Sequence, residues 1–346
     1  MAGSDGEMWV WSWRGFGALE HLQQERRPIP KVGPDQVLVR VKANSLNQRD
    51  IMVGNGGLPS AAMSSGLIPL SDGAGQVVET GEGVSGLKVG DRVIGIFRQR
   101  WLSGPVRPAD TVSDLGGATD GMLAEYVVLD ESGLVRFPEH LSYTEAATLP
   151  CAAATAWCAL FPKSRFQAGE TMLTLGTGSV SLFAIQFARA AGGRAIVTSS
   201  SGERGERAIA LGASSCVDYA RNPEWDEEVR ALTGGLGADV VVETGGAATY
   251  ARSLASAAVS GRVALVGLMT GMDDPGGSFS SIFRRDLTVR AVQPGSRLDL
   301  EAMLRAIDAA SLRPVIDSSV PFDAAPDAYR RLASGDAFGK VVIKHG

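Results

Sequence analysis

The sequence predicts an α/β protein built on a doubly wound parallel sheet, with a second, smaller β-barrel domain beside it. Three observations carry this. From about Ser142 onward, short apolar strands alternate with amphipathic helices, the pattern of βαβ units stacked into one parallel sheet. From Pro34 to Val135, short strands are punctuated by glycine turns, which suggests a small barrel. Residues 173–192, LTLGTGSVSLFAIQFARAAG, run strand, glycine turn, helix, the order in which a dinucleotide-binding fold begins.

In chain order, QVLVRVKA (36–43) alternates as a strand with one buried face. GQVVETGEGV (75–84), LKVGDRVIGIF (87–97) and AEYVVLD (124–130) follow as strands. Between the last two lies a long polar segment dotted with proline and glycine, residues 97–121; a loop of that length in a compact domain is functional or disordered. SYTEAATLPCAAATAWCALF reads as helical, with Ser142 as N-cap and Glu145 completing a capping box. The alternating units are strand TMLTLG, helix SLFAIQFARAAG, strand RAIVTSS, helix ERGERAIALGA, strand SCVDYA and helix EWDEEVRALTGG. Strand DVVVETG, helix ATYARSLASAA, strand RVALVGL and strand LTVRAV complete them. Helix LDLEAMLRAIDAASL and strand GKVVIKH close the chain.

Composition excludes several function classes. A formal charge of −5 and no Lys/Arg block disfavour nucleic acid and anionic membranes as partners. No apolar run approaches the roughly 20 residues of a membrane span, and the N-terminus lacks a signal-peptide layout. A cytoplasmic location and a small-molecule substrate are therefore expected. Cys151, Cys158 and Cys216 form no CxxC, and His21, His140 and His345 stand far apart. A catalytic zinc needs three protein ligands, so no metal is expected.

The glycine turn carries the cofactor prediction. Gly176, Thr177, Gly178, Ser179 and Val180 pass from strand into helix, where backbone N–H groups and the positive helix end receive a pyrophosphate. Gly176 permits the turn and Gly178 the close approach, while Ser181 stands where a third glycine serves helix packing. The next strand ends in Ser199-Ser200-Ser201, with Arg204 and Arg207 following and no carboxylate at the strand end. An NAD site wants an acid there for the ribose 2′-hydroxyl; hydroxyls and a cation suit a 2′-phosphate. NADP(H) is the expected cofactor. Gly245 and Gly246 end the fourth strand, and Val266-Gly267-Leu268 the fifth, where such sheets bind ligands.

PDQVLVRVKANSLNQRD, SDGAGQVVETGEGVSGLKVGDRVIG, GMLAEYVVL, EAATLPCAAATAW, LTLGTGSVSLFAIQFA and FGKVVI occur in an order and spacing that resembles the medium-chain dehydrogenase/reductases. The likeness is to their zinc-free, quinone-oxidoreductase-like and alcohol-dehydrogenase-like branches, and it covers nearly the whole chain. It implies a GroES-like catalytic domain from residues 1–150 and 294–346, a Rossmann domain from 151–293, a substrate cleft between them and a homodimer. It also exposes departures. Zinc-dependent relatives carry Cys where Asn47 stands and His-Glu where Ser71-Asp72 stand, and Cys151 alone falls at a ligand-like position. The structural zinc lobe is missing too, since residues 92–121 hold no cysteine.

Without a metal, another electrophile must stabilise the reacting oxygen, or the acceptor must take hydride readily. The Tyr-x-x-x-Lys pair is absent, because Asp130, Ala147, Pro223, Leu254 and Ala333 follow the five tyrosines at that spacing. The expected reaction is reduction of a quinone, an α,β-unsaturated carbonyl, or a reactive aldehyde or ketone. A zinc-less NADP-dependent alcohol dehydrogenase and an NADPH-binding protein with little turnover are the alternatives. The resemblance places NSLNQRD at the cleft, which nominates Asn47 and Arg49 as donors and Asp50 as their orienter. It assigns Thr155 to the nicotinamide amide, Tyr219 to the 2′-phosphate or adenosine, and Lys340 to the pyrophosphate. Trp101 reads as a loop anchor or a substrate cap, and Trp157 as core or pocket wall.

Overall fold

The computed structural model describes residues 6–57, 65–267, 269–271 and 278–346. It divides into two compact units, Met1–Cys151 with Gly295–Gly346, and Ala152–Pro294.

The first unit begins with the strands β1 (Glu7–Trp13) and β2 (Leu22–Pro28), paired antiparallel with Glu7 opposite Pro28. It continues through β3 (Gln36–Ser45), α1 (Gln48–Gly54), β4 (Asp72–Thr80) and β5 (Arg92–Gly95). β6 (Tyr126–Asp130), β7 (Leu134–Arg136) and the single turn α2 (Tyr143–Ala146) follow. The second unit holds α3 (Ala154–Leu160), β8 (Thr171–Thr174), α4 (Ser179–Ala190), β9 (Arg194–Ser199), α5 (Gly202–Leu211) and β10 (Ser215–Asp218). It ends with α6 (Trp225–Leu232), β11 (Ala238–Glu243), α7 (Ala247–Ser256), β12 (Ala257–Leu265), α8 (Ser278–Arg285) and β13 (Thr288–Ala291). The chain then returns to the first unit with α9 (Arg297–Ala309), β14 (Ile316–Pro321), α10 (Ala325–Ala333) and β15 (Lys340–Lys344).

In the first unit, β3 is the organising strand. It pairs antiparallel with β4, with β6 and with the last strand, β15. Partners along both edges leave Val37, Leu38, Val39 and Val41 all buried, so the strand is covered more fully than its one-sided alternation predicts. The core beneath joins Trp11, Trp13, Val39, Leu70, Leu123, Tyr329 and Ile343. The segment 97–121 is a tethered structure: Arg98 bridges Asp114, Leu115 bridges Thr119, and the Trp101 indole donates to Gly104 O at 2.9 Å. Trp101 is buried and also takes a backbone bond from Arg297, which makes it the loop's anchor.

The second unit is the doubly wound sheet, ordered β10-β9-β8-β11-β12-β13 with every pairing parallel. Its chain runs outward from β8 on one side and from β11 on the other, so the order reverses between them; ligands bind beyond the carboxyl ends at such a point. Leu173, Ile196, Val217, Val241 and Val263 form the buried layer. The helix expected from Ser142 onward is interrupted. α2 ends early, Leu149–Ala153 form a π turn, and only then does α3 begin. Pro150 has no N–H for an i→i−4 bond, and wider turns accommodate such a gap. Among the described residues no helix is long and apolar enough to cross a membrane.

Gly267 shows how tightly the strand ends are packed. A Cβ there would sit 1.6 Å from the Thr244 carbonyl oxygen, so backbone must move to admit one. Gly267→Ala should cost about 1–3 kcal/mol, the usual range for overpacking, measured by urea unfolding; an unchanged midpoint would show that the two strand ends are not in this contact.

Candidate active site

The glycine turn joins β8 to α4. Gly176 has φ +68°, the left-handed region that glycine occupies without strain. A Cβ at Gly176 or Gly178 would meet no heavy atom within 4 Å, so the space over the turn is open rather than filled by packing. Gly178 is the N-cap of the 12-residue α4 and supplies no side-chain cap, which leaves the first-turn N–H groups for a ligand. Ser179 and Val180 begin that turn half-buried, while Thr177 is buried. These features fit a dinucleotide pyrophosphate.

Three hydroxyls hold the turn in shape. Ser181, in place of the third glycine, donates to Leu175 O at 2.7 Å, and Thr244 donates to the same carbonyl at 2.6 Å. Thr198 Oγ1 accepts from Gly176 N at 3.1 Å. Serine in the third-glycine position thus ties helix to strand. Beyond β11, the buried Glu243 takes N–H bonds from Gly245 and Gly246 at 2.6 and 2.9 Å and hydroxyl bonds from Thr249 and Ser253. Gly245 is therefore positioned by a carboxylate that sequence reasoning passed over. Val266 and Gly267 follow β12 half-buried; Leu268 lies outside the described residues.

At the end of β9, Ser199 is buried and its hydroxyl is engaged in a local turn with Ser201 N and O at 3.1 and 2.9 Å. It shapes the strand end and has no proton to spare for a phosphate. Ser200 is exposed, and Arg204 Nη2 donates to its hydroxyl at 3.3 Å. Tyr219, just past β10, is 42% exposed, and its N–H donates to Ser199 O at 3.1 Å. Ser200, Arg204 and Tyr219 are thus gathered at the carboxyl ends of adjacent strands. Thr155 is buried in α3, and Trp157 packs edge-on against Phe187 of α4 at 5.5 Å.

The first unit holds a separate charged centre. β3 ends at Ser45 opposite Asp72 at the start of β4, and Asn47 caps α1. Lys340 begins β15, which pairs with the end of β3. Lys340 is 1% exposed; its ammonium donates to Leu46 O at 2.8 Å, Asn47 Oδ1 at 2.7 Å and Asp72 Oδ2 at 3.2 Å. Asp72, fully buried, also accepts from Asn47 Nδ2 at 2.9 Å, Ser45 Oγ at 3.1 Å and Ser71 Oγ at 3.0 Å. An ammonium with three acceptors has no donor left. The expected reach of Lys340 to a pyrophosphate is therefore corrected: it is an internal counterion of this centre.

Arg49 differs from expectation, while Asp50 keeps its contact with Asn47. Arg49 pairs with Asp114, donates to Leu115 O at 2.9 Å and lies over the Phe97 ring at 4.8 Å. It clamps the 97–121 segment to α1, and Asp50 is its more distant partner at 3.6 Å. Asp50 is buried and accepts from Asn47 N at 2.7 Å, so it orients the backbone of Asn47. Desolvation lifts its pKa from 3.8 to about 6 against the attraction of Arg49. Desolvation, with Asp72 adding to it, pushes the Cys151 thiol well up, away from the thiolate that binds metals. Among the described residues no group of three or more His, Cys, Asp or Glu could hold a metal ion. An amide, a carboxylate already satisfied by four donors and a protonated thiol do not fit zinc.

Residues 33–139 match the alcohol dehydrogenase GroES-like domain, and residues 179–309 match the family described as zinc-binding dehydrogenase. The chain is 39% identical over 335 residues to a zinc-type alcohol dehydrogenase-like protein of Schizosaccharomyces pombe, covering 95% of this chain and 96% of that one. It is 32% identical over 349 residues to 2-methylene-furan-3-one reductase of Solanum lycopersicum, covering 97% and 79%. A crystal structure of an NAD-dependent alcohol dehydrogenase superposes with TM-score 0.89 at 34% identity, over 98% of this chain and 100% of that one. Glycine turn, parallel sheet, barrel-type first unit and these likenesses agree: the chain is an oxidoreductase that belongs to the medium-chain dehydrogenase/reductase superfamily.

Proposed function

We propose that the protein is an NADPH-dependent, zinc-independent reductase of activated acceptors, namely quinones, α,β-unsaturated carbonyls, or reactive aldehydes and ketones. The observation that carries the cofactor choice is the end of β9. Ser200 and Arg204 are in contact there, 3.3 Å apart, where a 2′-hydroxyl site would want a carboxylate. A guanidinium and a hydroxyl give a 2′-phosphate charge-assisted bonds, and the exposed Tyr219 offers a face to the adenosine. Bound NADPH would supply the hydride. Gly176, Thr177, Gly178, Ser179 and Val180 would take the pyrophosphate, with Thr155, Gly245, Val266 and Gly267 toward the nicotinamide end.

Zinc independence is supported by the donor set around Asp72, and activated acceptors follow from it. A neutral amide is a weaker electrophile than a metal ion, so the acceptor must carry part of the driving force. Asn47 is the donor we assign to the acceptor oxygen, with Asp50 holding its backbone. The name of the Solanum relative specifies an α,β-unsaturated ketone, the acceptor class this reading favours. The same reading carries a small-molecule substrate and a homodimer.

Cofactor choice is tested by titrating NADPH and NADH into wild type and Arg204→Ala. Losing a charge-assisted contact should weaken NADPH by about 1.5–3 kcal/mol, roughly 10- to 100-fold, with NADH nearly unchanged. Equal losses for both would remove Arg204 from the 2′-phosphate.

Asp50 provides a pH test of the donor's support. Its folded pKa, about 6, lies above the ordinary 3.8, so the stability it contributes is full below pH 4 and is lost as pH rises through 6. Asp50→Asn should therefore gain on wild type between pH 4 and 7, by about 3 kcal/mol for two units. Paired denaturant titrations at both pH values measure this, and a pH-independent difference would contradict the burial of that carboxyl.

A further inference from the structure

The positions at which zinc-dependent relatives place metal ligands, Asn47 and Ser71-Asp72, here surround a lysine from the far end of the chain. Asn47 Oδ1 and Asp72 Oδ2 both accept from Lys340, a residue more than 260 positions away from either. We propose that the Lys340 ammonium is a built-in cation that takes a metal's place at this centre and acts as the positioning residue for the Asn47 amide. The catalytic half of this inference rests on the reductase reading above; the electrostatic half does not.

The chemistry of the donors fixes the arrangement. An ammonium only donates, so the oxygen of the Asn47 amide must face it. An ionised carboxylate only accepts, so the amide nitrogen must face Asp72. The two constraints agree, and the amide cannot flip without losing both bonds. One Nδ2 proton goes to Asp72 at 2.9 Å; the second has no acceptor among the described residues. Asn47 keeps 7% of its surface exposed, and the proposal assigns that second N–H to the acceptor oxygen. Donation from the ammonium into Oδ1 polarises the amide and strengthens its remaining N–H. The result is a fixed, neutral donor for a developing oxyanion.

The same ammonium excludes a metal. Asp72 has its charge balanced by Lys340 and its lone pairs taken by Ser45, Ser71 and Asn47. A divalent ion placed there would face a fixed positive charge at close range in a low-dielectric site, with no thiolate to draw it in. A metal family's scaffold thus carries a protein cation at this centre.

The test uses Lys340→Met and the neutral pair Lys340→Met/Asp72→Asn. Lys340→Met leaves Asp72 buried and unpaired, so its melting temperature should fall by several degrees, and the pair should recover most of that loss. Both should bind NADPH within about twofold of wild type. With the amide free to flip, kcat at saturating NADPH should fall about tenfold or more, with a smaller change in KM. A tenfold loss of NADPH affinity with kcat preserved would make Lys340 a cofactor ligand and overturn the proposal. Wild-type kcat in the pair would remove the positioning role, and stoichiometric zinc uptake by the wild type in calorimetry would overturn the exclusion. If wild type turns over no acceptor, the reductase reading fails, while melting and zinc uptake still decide the place of Lys340.

Discussion

Asp72 carries a carboxylate with no exposed surface, and the first unit is arranged to compensate it. An uncompensated buried charge costs several kcal/mol, so the strand ends that bring Lys340, Ser45 and Asn47 to it cannot drift independently. The last strand, β15, must enter beside β3 for its first residue to deliver the ammonium. Gly339, immediately before, has φ +102°, and a Cβ there would lie 2.4 Å from Val315 O, so a glycine is needed to make that entry. One ion pair therefore ties the carboxyl-terminal segment to residues near position 47, and the same ammonium fixes the orientation of the Asn47 amide.

The same device recurs in the second unit with a different purpose. Glu243 is buried at the end of β11 and is satisfied by two backbone N–H groups and two hydroxyls. Ser181 and Thr244 converge on Leu175 O. These contacts hold the loops at the carboxyl ends of β8 and β11 rigid before any ligand arrives, which lowers the ordering cost of binding. Preorganisation is built by short polar side chains at strand ends, while the apolar layer behind them supplies the stability.

What was legible in the sequence follows the range of the interactions involved. The alternating strands and helices of the second unit and the Ser142–Glu145 capping box are local patterns, and they were readable. The open glycine turn is local too. Local pattern does not mark the strands β1, β2, β7 and β14: β14, IDSSVP, is polar and short, β7 spans three residues, and β1 carries tryptophans whose burial depends on distant partners. The roles of Arg49 and Lys340 were out of reach for the same reason. Asp114 lies 65 positions from Arg49, and Leu46 lies 294 from Lys340. A buried lysine in GKVVI looks like any strand-end cation until the fold shows which carboxylate it meets. In the sequence Ser181 shows only as the missing third glycine, because a hydrogen bond to a carbonyl six residues back depends on the shape of the turn.

In the proposed reading, a protein-borne ammonium and the amide it holds do the work a metal does elsewhere in the superfamily. The most direct measurement is NADPH oxidation with a 1,4-quinone or an enone by protein purified and assayed in a strong chelator, with its metal content determined on the same sample. The expected result is undiminished turnover at far below one metal ion per chain. Turnover that disappears under chelation and returns on adding zinc would contradict it.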